Sequence, residues 1–123
     1  MNAETRQALV GEGVVRPESE RYEIACAVRG MVTAVRMHVR QHGCGEQHDE
    51  LCDQMLQGRK QLGNMFVAGD PSVSYAGRMA RLDARVALTQ AYVNLLFCEV
   101  GSLVINLRVA EKQLDILVAE LRP

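Results

Sequence analysis

The sequence predicts an all-α fold, specifically an antiparallel up-and-down four-helix bundle, on three observations. Apolar residues recur with the 3.6-residue period of an amphipathic helix in four successive segments. Gly- and Pro-containing turn signals separate those segments, and no segment alternates as a β-strand does. Because the predicted connections are short, neighbouring helices are expected to run antiparallel.

The elements follow in order from residue 17. Pro17 with acids in the next turn begins the first helix, and His42-Gly43-Cys44-Gly45 ends it. A Gly-Asp-Pro turn closes the second helix, and residues 99–102 form the turn before the fourth. The predicted helices span about 17–41, 46–68, 74–98 and 104–121. Residues 1–16 show no sustained period and are predicted to be a flexible N-terminal arm, with the bundle over 17–123.

Composition narrows the class of protein. The chain has 123 residues, the size of one domain, and 48% are apolar, which suits a single packed core. Its net charge of -1 and its 4% aromatic content argue against bulk electrostatic binding of nucleic acid and against a base-stacking platform. No secretory leader and no membrane span is evident, so a cytoplasmic protein with free thiols is expected.

The third predicted helix carries apolar residues on two opposite faces. Met79, Leu82, Val86, Val93 and Phe97 share one side, and a second stripe lies opposite. A single bundle needs one apolar stripe per helix, so the second stripe predicts self-association. The fourth helix repeats the pattern. The alternative is ordinary scattered surface apolars. The predicted oligomer interface comprises Ala84, Leu88, Ala91, Leu95, Ile105, Val109 and Ile116.

Histidines and cysteines gather around the first predicted turn. His48 and Cys52 are four residues apart, as are His38 and His42, and imidazole with thiolate suits zinc. The spacing matches no established zinc pattern, so no metal and no cofactor is predicted. A nucleophile–base pair of Cys52 and His48 has no third orienting group. No phosphate-binding loop, nucleophile elbow or HExxH motif is present, and the chain is predicted not to be an enzyme.

Arginines segregate into two rows. An oligomer could gather such rows into a phosphate-binding surface despite the near-neutral net charge. The alternative is salt bridging to carboxylates of the acidic start of the second helix or of neighbouring subunits. The candidate nucleic-acid or partner-binding residues are Arg29, Arg36 and Arg40 in the first row and Arg78, Arg81 and Arg85 in the second.

Two short strings resemble a known family. Arg40-Gln41-His42-Gly43 and Met65-Phe66-Val67-Ala68-Gly69-Asp70, followed by an Ala/Arg/Leu-rich helix, resemble the accessory variability determinant of diversity-generating retroelements. That family belongs with the four-helix-bundle proteins encoded in ribosomal RNA intervening sequences. The likeness covers about residues 22–121, and the residues that match are turn residues with a structural role: His42, Gly43, Ala68 and Gly69.

The resemblance implies a ring-like homopentamer with a non-catalytic accessory role, binding a reverse transcriptase and nucleic acid through basic surface. The family's retroelement members are markedly basic, whereas this chain has a net charge of -1. The expected function is therefore that of an oligomeric accessory or scaffold protein. Two alternatives remain: a structural homo-oligomer with a protein-only partner, and a metal-binding or catalytic bundle that uses the His/Cys cluster.

Overall fold

The computed structural model describes residues 15–123, and within that range the chain is all-helical, without strands. Its helices are α1 (Glu18–His42), α2 (His48–Gly63), α3 (Tyr75–Leu96) and α4 (Val100–Leu121). Each packs against two others, because α1 and α3 both contact α2 and α4. The all-α prediction with four helices is confirmed, and the arrangement is compatible with a four-helix bundle.

Helix α1 has the predicted bounds to within a residue at each end. Glu18 and Glu20 occupy its first turn, where carboxylates interact favourably with the helix dipole. It ends at Gly43, whose φ of 78° and ψ of -169° form a backbone conformation that essentially only glycine adopts. The Gly43 amide donates to the carbonyl of Val39 at 2.8 Å, which satisfies one of the last carbonyls of the helix.

Helix α2 is shorter than predicted, because it ends at Gly63 and not near residue 68. Met65 and Phe66 lie outside the helix, yet both are fully buried. Their side chains extend the apolar pattern of α2 in sequence while their backbone has already turned away from the helix. The loop over 64–74 therefore forms part of the core, and the helix prediction over 64–68 was wrong.

The turn between α3 and α4 lies earlier than predicted. Cys98 takes the left-handed conformation with φ of 53°, its amide donates to the carbonyl of Leu95, and the Glu99 amide donates to the carbonyl of Asn94. This is the Schellman pattern, in which glycine usually occupies the left-handed position. Because the chain reverses at Cys98, Gly101 lies inside α4, and the predicted turn over 99–102 was wrong.

The core lies between the four helices. The core face of α3 is rich in small residues, with Ala80, Ala84, Ala87 and Ala91, and α4 contributes Ala110. Larger side chains fill the remainder, with Val28, Val32 and Val35 from α1, Met55 and Leu62 from α2, and Leu103, Leu107, Leu114 and Leu117 from α4. No helix within residues 15–123 has the length and apolarity that a membrane crossing requires.

The predicted N-terminal arm falls mostly outside the described residues, which begin at residue 15. At its end, the Arg16 amide donates to the carbonyl of Asn64 at 2.9 Å. The segment that leads into α1 is therefore hydrogen-bonded to the loop after α2.

Candidate functional site

The outer face of α3 carries a row of exposed, mostly apolar side chains. Its six apolar members are between 36% and 71% exposed. They lie opposite the face of the same helix that supplies the core. Leu82 and Val86 also line a surface groove that Arg59 of α2 borders. We call this row the α3 seam, and it consists of Tyr75, Met79, Leu82, Val86, Thr89, Val93 and Leu96.

The sequence assigned the two faces of α3 the wrong way round. Ala84, Leu88, Ala91 and Leu95, which were predicted to form the oligomer interface, are at most 1% exposed and lie in the core of the subunit. Periodicity reveals two stripes but does not distinguish the inner from the outer one. Small side chains on the buried face allow neighbouring helices to approach α3 closely, and Ala80 and Ala87 lie on that same face.

The α4 members of the predicted interface lie on the surface. Ile105, Val109 and Ile116 are all exposed, while Leu107, Ala110, Leu114 and Leu117 lie on the core face. Exposure is compatible with an interface and does not demonstrate one. The assignment of these three residues to an interface stays a prediction.

The first arginine row packs against carboxylates of the same subunit. Arg29 pairs with Asp115, and Arg36 pairs with Glu111. The Glu111 carboxylate also accepts a hydrogen bond from the Thr33 hydroxyl at 3.0 Å. These groups therefore link α1 to α4. Salt bridging of these arginines was the predicted alternative, but its expected partners were carboxylates of the acidic start of α2 or of another subunit.

The second arginine row turns towards the loop after α2. Arg81 is buried, and its guanidinium donates to the carbonyls of Leu62 and Phe66 and lies 3.9 Å from the centre of the Phe66 ring. Burial lowers the pKa of Arg81, and the charges of Arg85 and Arg21 lower it further. Arg81 is thus a structural residue, and its assignment to an exposed binding surface was wrong.

A second buried arginine, which the sequence analysis missed, holds the same loop from α1. Arg21 donates through Nε to the carbonyl of Met65 at 3.2 Å and through Nη2 to Asp70 Oδ2 at 2.9 Å. Its guanidinium lies 5.5 Å from the centre of the Phe66 ring. We call Arg21, Arg81 and Phe66 the arginine clamp. The available signal was the position of Arg21, four residues before buried Ala25 on the core stripe of α1.

Asp70 is the carboxylate of the loop that pairs with Arg21. Its Oδ1 accepts hydrogen bonds from the Ser72 hydroxyl at 2.6 Å and from the Ser72 amide at 2.9 Å. These bonds and the neighbouring Arg21 hold the pKa of Asp70 below its usual value. The loop therefore carries an ionised carboxylate that compensates one of the two buried guanidinium charges.

Arg78 and Arg85 lie on one flank of the α3 seam. Each is half-buried, and the Nε atom of each is buried with no hydrogen-bond acceptor among residues 15–123. The Arg78 guanidinium lies 6.0 Å from the centre of the Tyr75 ring. The Arg85 guanidinium lies against Gly63 at the end of α2. Arg40 of the first row is exposed on α1.

The His/Cys cluster does form local contacts at the α1–α2 turn. The His48 Nδ1 lies 3.1 Å from the carbonyl of Cys44, and its Nε2 lies 3.6 Å from Cys52 Sγ. His42 lies 3.3 Å from Glu46. Burial raises the pKa of the Cys52 thiol, and Asp49 and Asp53 raise it further, so this thiol is a weak nucleophile near neutral pH.

Metal-ligating side chains do not converge in the described part of the chain. Within residues 15–123, no three His, Cys, Asp or Glu side chains are grouped so that they could hold one ion. A groove of about 420 Å³ between α1 and α2 is lined by Ala27, Val28, Met31, Asp53, Gln54, Gln57, Gly58 and Gln61. Its lining includes a single carboxylate and no thiol or imidazole, which offers little for acid–base or nucleophilic chemistry.

No family model, no curated protein and no solved structure matches this chain.

Proposed function

We propose that this chain is a non-enzymatic helical scaffold protein that assembles into a homo-oligomer through the α3 seam. The observation that carries the proposal is the continuous exposed stripe itself. The largest exposed apolar patch on a soluble protein often marks a site of interaction. From the exposed fractions of its six apolar members, the seam presents on the order of 500 Å².

The area of the seam suits a protein partner. A standard interface covers about 800 Å² per partner, with an apolar centre and a polar rim. The seam would supply the centre, and the flanking side chains of α3, among them Arg78 and Asp83, would supply part of the rim. A second copy is the favoured occupant because the seven seam positions contain no charged residue that would select a partner of opposite charge.

An antiparallel up-and-down order of the helices is part of this proposal. Higher residue numbers on α1 pair with lower numbers on α4, as Arg29 does with Asp115 and Arg36 with Glu111. The same inversion relates α3 and α4, through the hydrogen bond of Asn106 to Asn94 at 2.7 Å and that of Ser74 to Glu120 at 2.8 Å. This order leaves the outer face of α3 uncovered by the subunit.

Binding of a reverse transcriptase or of nucleic acid, which the family resemblance implies, has weaker support. Two arginines of the first row are paired within the subunit, and Arg81 is buried. Phosphates would have to compete with those intramolecular carboxylates or rely on Arg40 and the half-buried Arg78 and Arg85. This role, the pentameric ring and the protein-only partner stay predictions.

The metal-binding or catalytic alternative has little support from its chemistry. Cys52 is a protonated thiol at neutral pH because of its raised pKa, and its single nitrogen neighbour at 3.6 Å is oriented by a backbone carbonyl and not by a carboxylate. A scaffold role needs none of these groups. The His/Cys cluster is therefore interpreted as the polar end of a helical hairpin.

Light scattering on a size-exclusion column at low micromolar concentration tests the proposal. We expect a mass of at least two chains, each of 13.6 kDa. Val86→Glu and Val93→Glu should shift the mass to that of one chain, because a carboxylate in a buried apolar seam costs several kcal/mol. Met37→Glu is the matched control, since Met37 is an equally exposed apolar residue on α1. A wild-type chain that is monomeric under these conditions would contradict the proposal.

A further inference from the structure

We propose that the α3 seam pairs two copies of this chain with their α3 helices parallel and in register. This inference rests on the proposed homo-oligomeric function and specifies the number and direction of the paired helices. Its basis is the spacing of the seam residues, which alternates four and three along α3 from Tyr75 to Leu96. That alternation is the heptad pattern of a coiled coil, in which positions a and d face the partner helix.

The residue types at the two heptad positions favour a pair of helices. The a positions are Met79, Val86 and Val93, and the d positions are Tyr75, Leu82, Thr89 and Leu96. β-Branched residues at a with leucine at d favour two parallel strands over three or four. Two of the three a residues are valine, and two of the four d residues are leucine.

The flanking charges favour the parallel direction. Arg78 and Arg85 precede a residues and occupy g positions, whereas Asp83 follows Leu82 and occupies an e position. In a parallel pair, a g side chain lies beside the e side chain five residues later on the other helix. Arg78 of one copy therefore lies beside Asp83 of the second copy, and two-fold symmetry gives two such pairs for each dimer.

An antiparallel pair would bring like charges together. In that arrangement g positions face g positions, so when the two seams overlap fully Arg85 of one copy faces Arg85 of the other, and Arg78 no longer lies beside Asp83. Like charges at this distance are destabilising, and they select against the wrong orientation. The same flank that supplies two favourable ion pairs in one orientation thus supplies repulsion in the other.

Both members of the proposed ion pair are available in the isolated subunit. Asp83 is exposed and makes no hydrogen bond or ion pair within residues 15–123. Arg78 contacts Tyr75, its neighbour in the seam, and the described residues offer its Nε no acceptor. By contrast, Arg29 and Arg36 of α1 already have carboxylate partners on α4.

Charge reversal tests the pair. Arg78→Glu and Asp83→Arg should each raise the dimer dissociation constant about fivefold or more at low salt, because each places like charges together twice. The double variant should return it to near the wild-type value. Sedimentation equilibrium measures the constants, and Arg40→Glu on α1 is the control, since Arg40 is exposed and unpaired within the described residues. Failure of the double variant to recover would overturn the pairing.

The direction of the helices can be measured through Cys98, which is exposed and follows the last turn of α3. Spin labels on Cys98, in a Cys26→Ser background, should lie within about 20 Å of each other in the dimer, since paired helix axes are about 10 Å apart. An antiparallel pair would separate them by about 30 Å or more, the length of a helix of this size.

The outcomes separate this inference from the function on which it rests. A two-chain mass with a short label distance and a recovering double variant supports parallel pairing. A long label distance, or an assembly of five chains, overturns parallel two-stranded pairing and leaves a homo-oligomeric scaffold. A monomeric chain at every concentration tested overturns both.

Discussion

The two faces of α3 have similar apolar content and opposite surroundings. The inner face, with Ala84, Leu88, Ala91 and Leu95, is buried against the other helices of the subunit, whereas the α3 seam is in solvent. The inner face is built of small residues and leucines that fit one close neighbour, and the seam is built of larger, evenly spaced side chains. The difference shows that side-chain size, and not hydropathy alone, distinguishes a face that packs closely against another helix from a face in solvent.

Truncation of one leucine on each face gives the largest expected contrast. Leu88→Ala should lower the free energy of unfolding by about 2–5 kcal/mol because it leaves a cavity in a closed core, whereas Leu82→Ala should lower it by less than about 1 kcal/mol. Denaturant unfolding measures both. Both are made in a Val93→Glu background so that self-association does not contribute. Equal losses would show that the inner and outer faces are not distinguished as described.

Removal of the buried guanidinium on the inner side of α3 should have a smaller effect. Arg81→Met leaves the carbonyl of Phe66 without its donor, at a cost of about 1–3 kcal/mol, while it also removes the unfavourable burial of a charge. The carbonyl of Leu62 loses one donor and keeps the Met65 amide. Thermal unfolding monitored by circular dichroism reports the loss. Arg40→Met, an exposed arginine on α1, should change the midpoint little. A midpoint as high as wild type in Arg81→Met would mean that the clamp is dispensable.

The smallest expected difference is in how acid changes thermal stability, because the loop over 64–74 carries Asp70 and the α3 seam carries no group that titrates in acid. The pKa of Asp70 is lowered in the folded state, so its contribution to stability is present above the usual aspartate value near 4 and is lost as pH falls through the lowered folded value. Asp70→Asn should flatten the loss of thermal stability below about pH 4. At protein concentrations where the chain is monomeric, Val86→Ala should leave the shape of the pH profile unchanged, because the α3 seam contains no carboxylate or imidazole. An unaltered profile in Asp70→Asn would contradict this assignment.

Much of the helical pattern was predictable because local signals and core packing agree. Gly43 ends α1 at a position that requires a positive φ, and the Ser74 hydroxyl caps α3 by accepting a hydrogen bond from the Gly77 amide at 3.0 Å. On α4, the residues predicted to lie outside, Ile105, Val109 and Ile116, are indeed on the surface. At these positions the local sequence signal and the tertiary packing favour the same structure.

The remaining features depend on partners that are distant in sequence. Whether α2 continues past Gly63 depends on Arg21 and Arg81, which lie 44 and 15 residues from the carbonyls that they bind in the loop. Cys98 occupies a left-handed position that composition alone would have assigned to Gly101. The two arginine rows look alike in sequence but have different partners. Arg36 of the first row pairs with a carboxylate of α4, whereas Arg81 of the second row donates to a carbonyl of the loop.

The arginine clamp determines whether the loop over 64–74 can accept insertions or new chain termini. A connection of this length between two helices is ordinarily where a chain tolerates nicks, insertions or relocated termini. Here α1, α3 and the Arg16 amide all hold the loop, and Met65 and Phe66 belong to the core. Circular permutation or domain insertion should therefore be tolerated at other positions. The α1–α2 and α3–α4 helix pairs are not independent units joined by a passive linker.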